Sequence, residues 1–457
     1  MIPRTEMVFA AFAAFSLWSP GVAQDKSADQ SRPGLVVVAP KSFHAALREF
    51  TTHKQKRIPT RLVALEEILK VEKGADDPEK LKRFLYSAWK KGEAGYALLV
   101  GDVDIMPVRY MVLDRATPAA FDYAFYPSDL YYADVAKSDG TFDDWNGNKE
   151  GFHARYFGEV RGEKNKQDPI NYDGISYVPE LGVGRWPVST PAEVAIVAAK
   201  TIRYEVGFES KQKVGAQKVG LFAVGGWVDS RGLMGHAADT LGKRLEVERF
   251  FYGGNGPQPT EKELYRCLND GAGLLLHAGH GDTHRWEQCC STRGLAGVKN
   301  ADRLPVMFSA GCSTAYFATL PPYEPYLDAD GKDHKGTNAG EIFTEPPPPP
   351  SPYQKGKYNT TGLGEYVLKH GPDGAVAYIG CNTGSQPCGL TLVEGFCQHL
   401  AANENARLGD CWKAAVSHYH EKEKLATIKP TNDWYPASIF FQGMKFMVFG
   451  DPSIRLP

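Results

Sequence analysis

Runs of consecutive apolar residues alternate with amphipathic segments along the chain, and this alternation predicts the fold. Leu35–Ala39 and Tyr96–Val100 are continuous apolar runs, and the residues from 79 to 91 between them carry apolar side chains at helical spacing. Such runs are typical of strands buried on both faces. The intervening helix is predicted to begin at Asp77, which is followed by Pro78 at the first helical position. Strand, helix and strand in this order predict a parallel sheet covered by helices.

A second alternation begins after the charged segment from 209 to 218, which we take as a boundary. We therefore expect an α/β fold of two adjacent subdomains with mainly parallel sheets, the first over 34–208 and the second over 215–457. The strands predicted in the second subdomain are Val219–Val224, Gly273–Leu276, Val306–Phe308, Ala375–Ile379 and one within Ile439–Phe449.

Two long segments lack periodicity. Residues 115–180 are rich in Tyr, Asp, Asn and Gly, and an insertion at about 317–362 contains five consecutive prolines, Pro346–Pro350. Consecutive prolines favour an extended polyproline conformation and remove the donors a strand needs. We expect both segments to be loops, the second exposed.

The start of the chain predicts a targeting segment. Apolar residues from Val8 to Trp18 are followed by a Ser-Pro-Gly breaker and Ala23, which is typical of a signal peptide covering 1–23. No later stretch approaches the roughly 20 apolar residues of a membrane span. We therefore expect a secreted or periplasmic protein without a membrane span.

Composition adds two constraints. Among the 457 residues, 42% are hydrophobic and the net charge is −2, so there is no electrostatic case for nucleic-acid binding. All eight cysteines lie between Cys267 and Cys411. An oxidising compartment permits disulfides, and the pairs Cys289–Cys290 and Cys381–Cys388 are the first candidates.

Two of the predicted strands end on reactive side chains. The run Gly-Leu-Leu-Leu-His-Ala-Gly leads to His280, and the run Pro-Val-Met-Phe-Ser-Ala-Gly leads to Cys312. If these strands are parallel neighbours, both tips lie at the sheet edge where open α/β folds carry their sites. Cys312 would then be a nucleophile and His280 its proton carrier. The backbone amides of Gly281 and Cys312 are the candidate donors to a developing oxyanion, and a helix starting at Ser313 would stabilise the thiolate.

Each role has a competing interpretation. Cys312 could be a buried structural thiol, and His277, His280 and His284 together could bind a metal in a hydrolase. His277 lies inside the strand and is better explained as a core residue. Asp229, after another strand, is a candidate to orient His280, although an aspartate there could equally cap a helix.

A further acidic segment has the spacing of a calcium loop. Oxygen-bearing side chains occur at every second position, at Asp144, Asn146, Asn148 and Glu150. Calcium prefers such oxygen ligands. A structural Ca²⁺ is therefore expected here, with a solvated acidic loop as the alternative, and no cofactor is expected for catalysis.

Several motifs together make the chain resemble the gingipain-type cysteine peptidases. The similar segments are Leu99-Val-Gly-Asp102 through Pro107, Asp129-Leu-Tyr-Tyr-Ala-Asp134, Glu180-Leu-Gly-Val-Gly-Arg185-Trp-Pro-Val, Gly279-His280-Gly281, Ala310-Gly311-Cys312 and Phe449-Gly-Asp-Pro452-Ser.

This resemblance implies a caspase-like second subdomain and a secreted endopeptidase acting on proteins or peptides through Cys312 and His280. It also implies that the loop after the strand Val376–Gly380 forms a wall of the specificity pocket. No acidic pocket floor is identifiable there, so the side-chain preference stays open, as does the oligomeric state. The alternative from another class is a catalytically inactive caspase-like binding scaffold.

Overall fold

The structure, a computed structural model, describes residues 33–117, 120–147, 155–159, 170–171, 173–210, 217–337, 347–357, 361–429, 431 and 435–457. The predicted signal peptide at 1–23 lies outside these residues. Among the helices of the described part, none has the length and apolar character needed to cross a bilayer.

Strands and helices alternate in the first half as the apolar pattern predicts. The strands are β1 (Leu35–Ala39), β2 (Thr60–Ala64), β3 (Tyr96–Val100), β4 (Tyr110–Thr117), β5 (Ala120–Pro127), β6 (Gly158–Glu159) and β7 (Gly182–Trp186). The helices are α1 (His44–Gln55), α2 (Leu65–Val71), α3 (Asp77–Lys90), α4 (Leu130–Ala133) and α5 (Pro191–Glu209).

The second half repeats the alternation. Its strands are β8 (Lys218–Ala223), β9 (Glu246–Phe251), β10 (Leu274–Ala278), β11 (Gly281–Asp282), β12 (Arg285–Trp286), β13 (Cys290–Ser291), β14 (Val306–Ser309), β15 (Tyr326–Leu327), β16 (Asp333–His334), β17 (Ala377–Cys381) and β18 (Phe446–Phe449). Its helices are α6 (Arg231–Leu241), α7 (Glu261–Asn269), α8 (Thr292–Leu295), α9 (Leu363–Lys369), α10 (Leu390–Ala402), α11 (Leu408–Lys422) and α12 (Tyr435–Gln442).

The sheets of the two halves are joined into one ten-stranded sheet, where the sequence predicted two. The strand order is β2-β1-β3-β7-β18-β17-β14-β10-β8-β9. β18 is parallel to β7 and antiparallel to β17, so it joins the halves. Because direction reverses between β17 and β18, the strands of the first half end at the opposite sheet edge from those of the second.

Helix starts follow local capping rules. Thr190 accepts a hydrogen bond from the amide of Glu193 at 3.2 Å and precedes Pro191 in α5, as the sequence predicts. In α3 the cap is Asp76, which accepts from the amide of Glu79 at 3.0 Å, so the predicted cap lies one residue too far along. Both carboxylate and hydroxyl caps satisfy an amide that the first turn leaves without a partner.

A buried arginine connects three of the motifs quoted above. The guanidinium of Arg185 donates to both carboxylate oxygens of Asp129, at 2.7 and 2.8 Å, and its side chain is fully buried. It also donates to the carbonyls of Gly101 and Pro107, at 3.2 and 3.3 Å. These motifs therefore form a buried polar hub of the first half, because a bidentate pair with further acceptors satisfies both charges.

The insertion is packed rather than exposed over its described part. The carbonyl of Pro352 accepts from the amide of Val108 at 3.1 Å, and the amide of Gln354 donates to the carbonyl of Val103 at 3.1 Å. Gln354 is 1% exposed. The expectation of an exposed loop is wrong for residues 347–357, because their backbone groups find partners on the first half.

We expect Arg185→Met to lower the free energy of unfolding by about 3–5 kcal/mol, because it leaves the Asp129 carboxylate and the carbonyl of Gly101 without their donor. The matched control is Lys41→Met, which breaks an exposed pair with Glu67 and should cost less than about 1 kcal/mol. Urea unfolding of both variants measures the difference. Equal losses of unfolding free energy in the two variants would contradict the stabilising role of the buried Arg185 hub.

Candidate active site

The two strands that carry the reactive side chains are parallel neighbours, as predicted. β10 pairs with β14 in parallel, with Leu274 opposite Val306 and His277 opposite Ser309. Each reactive residue follows three positions after this last pair. His280 and Cys312 therefore leave the sheet at the same edge, where parallel strands of α/β folds end.

The loops beyond these strands are in backbone contact. A Cβ atom added at Gly311 would lie 3.1 Å from both the carbonyl oxygen of Gly279 and the amide nitrogen of Gly281. One added at Gly281 would lie 3.0 Å from the carbonyl oxygen of Cys312 and 2.4 Å from the Thr314 methyl. Only glycine permits this approach without displacement.

The thiol of Cys312 is half-buried against the loop that follows β17. Its Sγ lies 3.3 Å from the amide nitrogen of Ser385, which donates to it, and 3.6 Å from the carbonyl of the same residue. An amide directed at sulfur favours the thiolate. This contact places Ser385 of the predicted pocket wall beside the candidate nucleophile.

The expected helix after Cys312 does not form. Ser313 has a φ of +54°, in the left-handed region, and its amide donates to the carbonyl of Thr383 at 2.8 Å. A left-handed residue that is not glycine cannot start a right-handed helix and is strained. The amide of Ser385, and not the dipole of a helix, is therefore the positive group directed at the Cys312 sulfur.

The imidazole of His280 is exposed and bonds to a backbone carbonyl. Its Nε2 lies 2.8 Å from the oxygen of Gly226, in the loop after β8. Since a carbonyl only accepts, the tautomer assigned from this bond carries its proton on Nε2 and leaves the Nδ1 lone pair free. Nδ1 is thus the atom available as a base.

Asp229 does not fill the orienting role expected of it. Its two carboxylate oxygens accept from Nε and a terminal nitrogen of Arg231, both at 2.8 Å. These bonds hold the pKa of the Asp229 carboxyl well below its usual range. Arg231 engages both oxygens of the Asp229 carboxylate. Within the described part of the chain, the His280 ring bonds instead to the Gly226 carbonyl.

The three histidines of the metal alternative lie in different surroundings. His277 is fully buried and its Nδ1 lies 2.9 Å from the hydroxyl of Ser309, whereas His280 and His284 are exposed. Across the described residues, no group of three or more His, Cys, Asp or Glu side chains is arranged to hold a metal ion. The His-ligated hydrolase therefore finds no support.

The calcium prediction stays open. Asp144 accepts from the amide of Asn146 at 3.1 Å, and Asn146 is buried. Asn148 and Glu150 lie outside the described residues. Calcium at this loop is therefore still a prediction.

All eight cysteines are free thiols, so neither expected disulfide forms. Burial raises the pKa of Cys267, Cys289 and Cys381 to about 12 and holds those of Cys290, Cys397 and Cys411 well above the usual value. Those six are inert toward electrophiles, since the thiolate is the reactive form. Cys312 and Cys388 are the two that are only partly buried.

A cavity of about 670 Å³ lies elsewhere, between α3, β4 and the segment 349–353. None of the residues that line it belongs to the ends of β10 or β14. Its size alone does not make it the reactive centre, because neither Cys312 nor His280 lines it.

A thiol and an imidazole at adjoining strand ends of a parallel α/β sheet are the parts of a cysteine-type hydrolase. The model of Peptidase family C25 matches residues 28–457. The chain belongs to this family, the gingipain family, and is a cysteine-type peptidase that acts on proteins or peptides.

Solved structures show the same fold. The Arg-specific cysteine proteinase gingipain R (RgpB) is 16% identical with a TM-score of 0.61, covering 95% of this chain and 80% of that one. The complex of the Porphyromonas gingivalis RgpB pro- and mature domains is 16% identical with a TM-score of 0.59, covering 93% and 79%. A structure described as a protease is 17% identical with a TM-score of 0.58, covering 93% and 78%. Among curated proteins no match is found.

Sequence reasoning missed three contributors to the site. Gly226 and Ser385 act through backbone atoms, which carry no side-chain signal. Ser309 was visible, since it lies three residues before Cys312 in an otherwise apolar strand. A polar residue inside a buried run is itself a signal, because burying a hydroxyl requires a partner.

We expect Gly281→Ala to lower kcat/KM by about 10- to 100-fold, because the new methyl separates the His280 loop from Thr314 and Cys312. The control is Gly232→Ala in α6, where a Cβ would meet no atom within 4 Å. Peptide hydrolysis and melting temperature are measured for both. An unchanged kcat/KM in the Gly281 variant would contradict the close packing.

Iodoacetamide should modify Cys312 first, since its thiol is accessible and receives an amide hydrogen bond. The six buried cysteines should react only after unfolding. Peptide mapping by mass spectrometry follows each site, with Cys388, whose Sγ lies 3.4 Å from the Tyr419 hydroxyl, as the internal comparison. Faster labelling of Cys388 than of Cys312 would contradict the assignment.

Proposed function

We propose that the protein is a secreted endopeptidase that hydrolyses peptide bonds through Cys312 and His280. The observation that carries this proposal is the parallel pairing of β10 with β14, which directs both residues to one sheet edge across touching glycine loops. Family membership supports the reaction class. The apolar segment before Ala23 supports secretion, because it has the composition of a signal peptide.

The first half-reaction forms a thioester. Nδ1 of His280 takes the proton of the Cys312 thiol, and the sulfur bonds to the carbonyl carbon of the substrate. The tetrahedral intermediate collapses when the carbon–nitrogen bond breaks and His280 returns the proton to the leaving amine. The carbonyl of Gly226 holds the imidazole by Nε2 throughout, so that Nδ1 faces the reaction.

The second half-reaction returns the free enzyme. His280 accepts a proton from water, whose oxygen attacks the thioester carbon, and the carbon–sulfur bond breaks to release the acid. The thiolate leaves beside the amide of Ser385, which offsets its charge. No metal ligand takes part in any of these steps.

Backbone amides are proposed to stabilise the oxyanion of both intermediates. The amide of Cys312 donates to no acceptor within the described residues. That of Gly281 lies in the loop that packs against Gly311. Preorganised donors of this kind contribute about 3–4 kcal/mol each to transition-state stabilisation.

Two further properties are proposals that rest on sequence. A structural Ca²⁺ would be held by Asp144, Asn146, Asn148 and Glu150, whose oxygens are hard ligands. The specificity wall would be the segment from Cys381 to Cys388, in which Ser385 touches the sulfur. An inactive scaffold is the competing proposal, and it differs in that its Cys312 would form no acyl-enzyme.

Cys312→Ala should lower kcat at least about 10³-fold, and adding His280→Ala should reduce it little further, since the two groups act as a unit. Asp229→Asn should stay within about threefold, because that carboxylate belongs to Arg231. Cys388→Ala, which removes the other half-buried thiol, is the matched control. Hydrolysis of a diverse peptide mixture followed by mass spectrometry measures all four and gives the side-chain preference.

A peptide electrophile that labels wild-type protein but not Cys312→Ala would support the peptidase. Absence of labelling and of cleavage in the folded wild type would instead favour the inactive scaffold.

A further inference from the structure

A buried polar pair lies directly beneath the site and has no role in the steps above. His277 and Ser309 face each other across β10 and β14, and Nδ1 of the ring lies 2.9 Å from the hydroxyl oxygen. Both side chains are fully buried. Each residue lies three positions before a reactive one, His280 or Cys312, so their bond links the two strand ends at their last paired position.

Ser309, one partner of this bond, also bonds to the loop that carries Cys312. The hydroxyl oxygen of Ser309 accepts from the amide of Gly311 at 3.0 Å. Gly311 immediately precedes Cys312 and is the residue that packs against Gly279 and Gly281. The hydroxyl therefore fixes the direction in which the chain leaves β14, because a buried amide without an acceptor costs free energy.

The ring of His277 also contacts the loop that carries His280. His277 stacks on Trp286, with centroids 4.8 Å apart and planes 5° from parallel. Trp286 lies opposite Gly281 in the β11–β12 hairpin, and its indole donates to the hydroxyl of Tyr378 at 2.7 Å. The hairpin that begins beside His280 thus rests on the imidazole of His277.

This imidazole is neutral. Burial lowers the pKa of His277 to about 3, and no carboxylate opposes the effect. Its Nε2 has no hydrogen-bond partner among the described residues, and it lies 3.1 Å from where a Cβ of Gly279 would be. Because the His277 ring is fully buried, it cannot contact substrate, so its contribution is to position neighbouring groups.

We propose that His277 and Ser309 are a pair of positioning residues that set the approach of the His280 imidazole to the Cys312 thiol. The inference rests on the proposed function and deepens it. The pair acts through the Gly311 amide on one side and the Trp286 hairpin on the other. Losing either partner should misplace the reacting atoms while leaving the substrate-binding surface intact.

The test compares Ser309→Ala, His277→Phe and their double variant. Each single change should lower kcat about 10- to 100-fold with KM within about twofold, since misplacement by about 1 Å has effects of this size. The double variant should match Ser309→Ala within about twofold, because His277→Phe removes no bond to Ser309 that Ser309→Ala has not already removed. His277→Asn, which can still reach Ser309, should recover most of the loss and replaces His277→Phe if that variant does not fold.

The pH dependence of Cys312 alkylation provides a readout that a structural role would not move. Its midpoint should rise by about half a unit or more in Ser309→Ala, because the imidazole then stabilises the thiolate less well. Cys381, a nearby thiol, does not titrate in this range, since burial raises its pKa to about 12. The control is Thr201→Val, which removes a buried hydroxyl bonded to the Val197 carbonyl in α5.

Three results would each contradict the proposed positioning role of His277 and Ser309. They are kcat losses that multiply in the double variant, an alkylation midpoint of Cys312 that does not shift in Ser309→Ala, and a kcat loss that follows the melting temperature as in Thr201→Val. A wild-type protein that cleaves no peptide would refute the proposed function alone. The alkylation midpoint of Cys312 would then still test whether His277 and Ser309 position the two loops, since this measurement requires no substrate.

Discussion

The site depends on the parallel pairing of β10 with β14 and on what it forces beyond the last pair. Two chains that leave adjacent parallel strands at the same edge must pass each other about 5 Å apart, and here both do so on glycine. Gly281 and Gly311 let the backbones touch, and this contact brings together the two loops that carry His280 and Cys312. The reactive groups are supported from below by buried hydrogen bonds and from the side by the backbone of two other loops.

The motifs that identify the family divide into two physical kinds. Those around His280 and Cys312 lie at one edge of the sheet and carry the proposed reactive groups. Those around Asp129 and Arg185 supply a buried ion pair in the other half, and Asp451 of the closing motif lies 2.9 Å from the buried ammonium of Lys54. Removing a residue of the second kind should act on stability rather than directly on the reaction, since unpaired buried charge is costly.

The sequence predicted the elements that have a clear pattern of apolar side chains. β1, β3, β10 and β14 are continuous apolar runs and were found, whereas β9 carries Glu246, Glu248 and Arg249 at the sheet edge and was missed. The final strand expected within Ile439–Phe449 is β18, and the part of that apolar run up to Gln442 is helical, because a short apolar run does not distinguish the two forms. Joining of the two sheets through β18 could not be predicted, since it depends on pairing between distant segments.

Within the candidate site, the placement of Cys312 and His280 after parallel neighbouring strands was predicted from residue type and strand position, and their catalytic roles stay a prediction. Their partners were not, because Gly226 and Ser385 contribute a carbonyl and an amide that every residue possesses. Asp229 was assigned from its charge and its position after a strand, and its carboxylate bonds to the guanidinium of Arg231 instead.

The place of β18 in the chain has a consequence for biosynthesis. It is inserted between β7 and β17, yet it follows both of them in sequence. Until it emerges from the ribosome, two central strands keep unpaired edges, which favour association with other chains. The complete sheet can close only after β18 has been translated, so the strands of the two halves stay in separate sheets until Phe446–Phe449 is available.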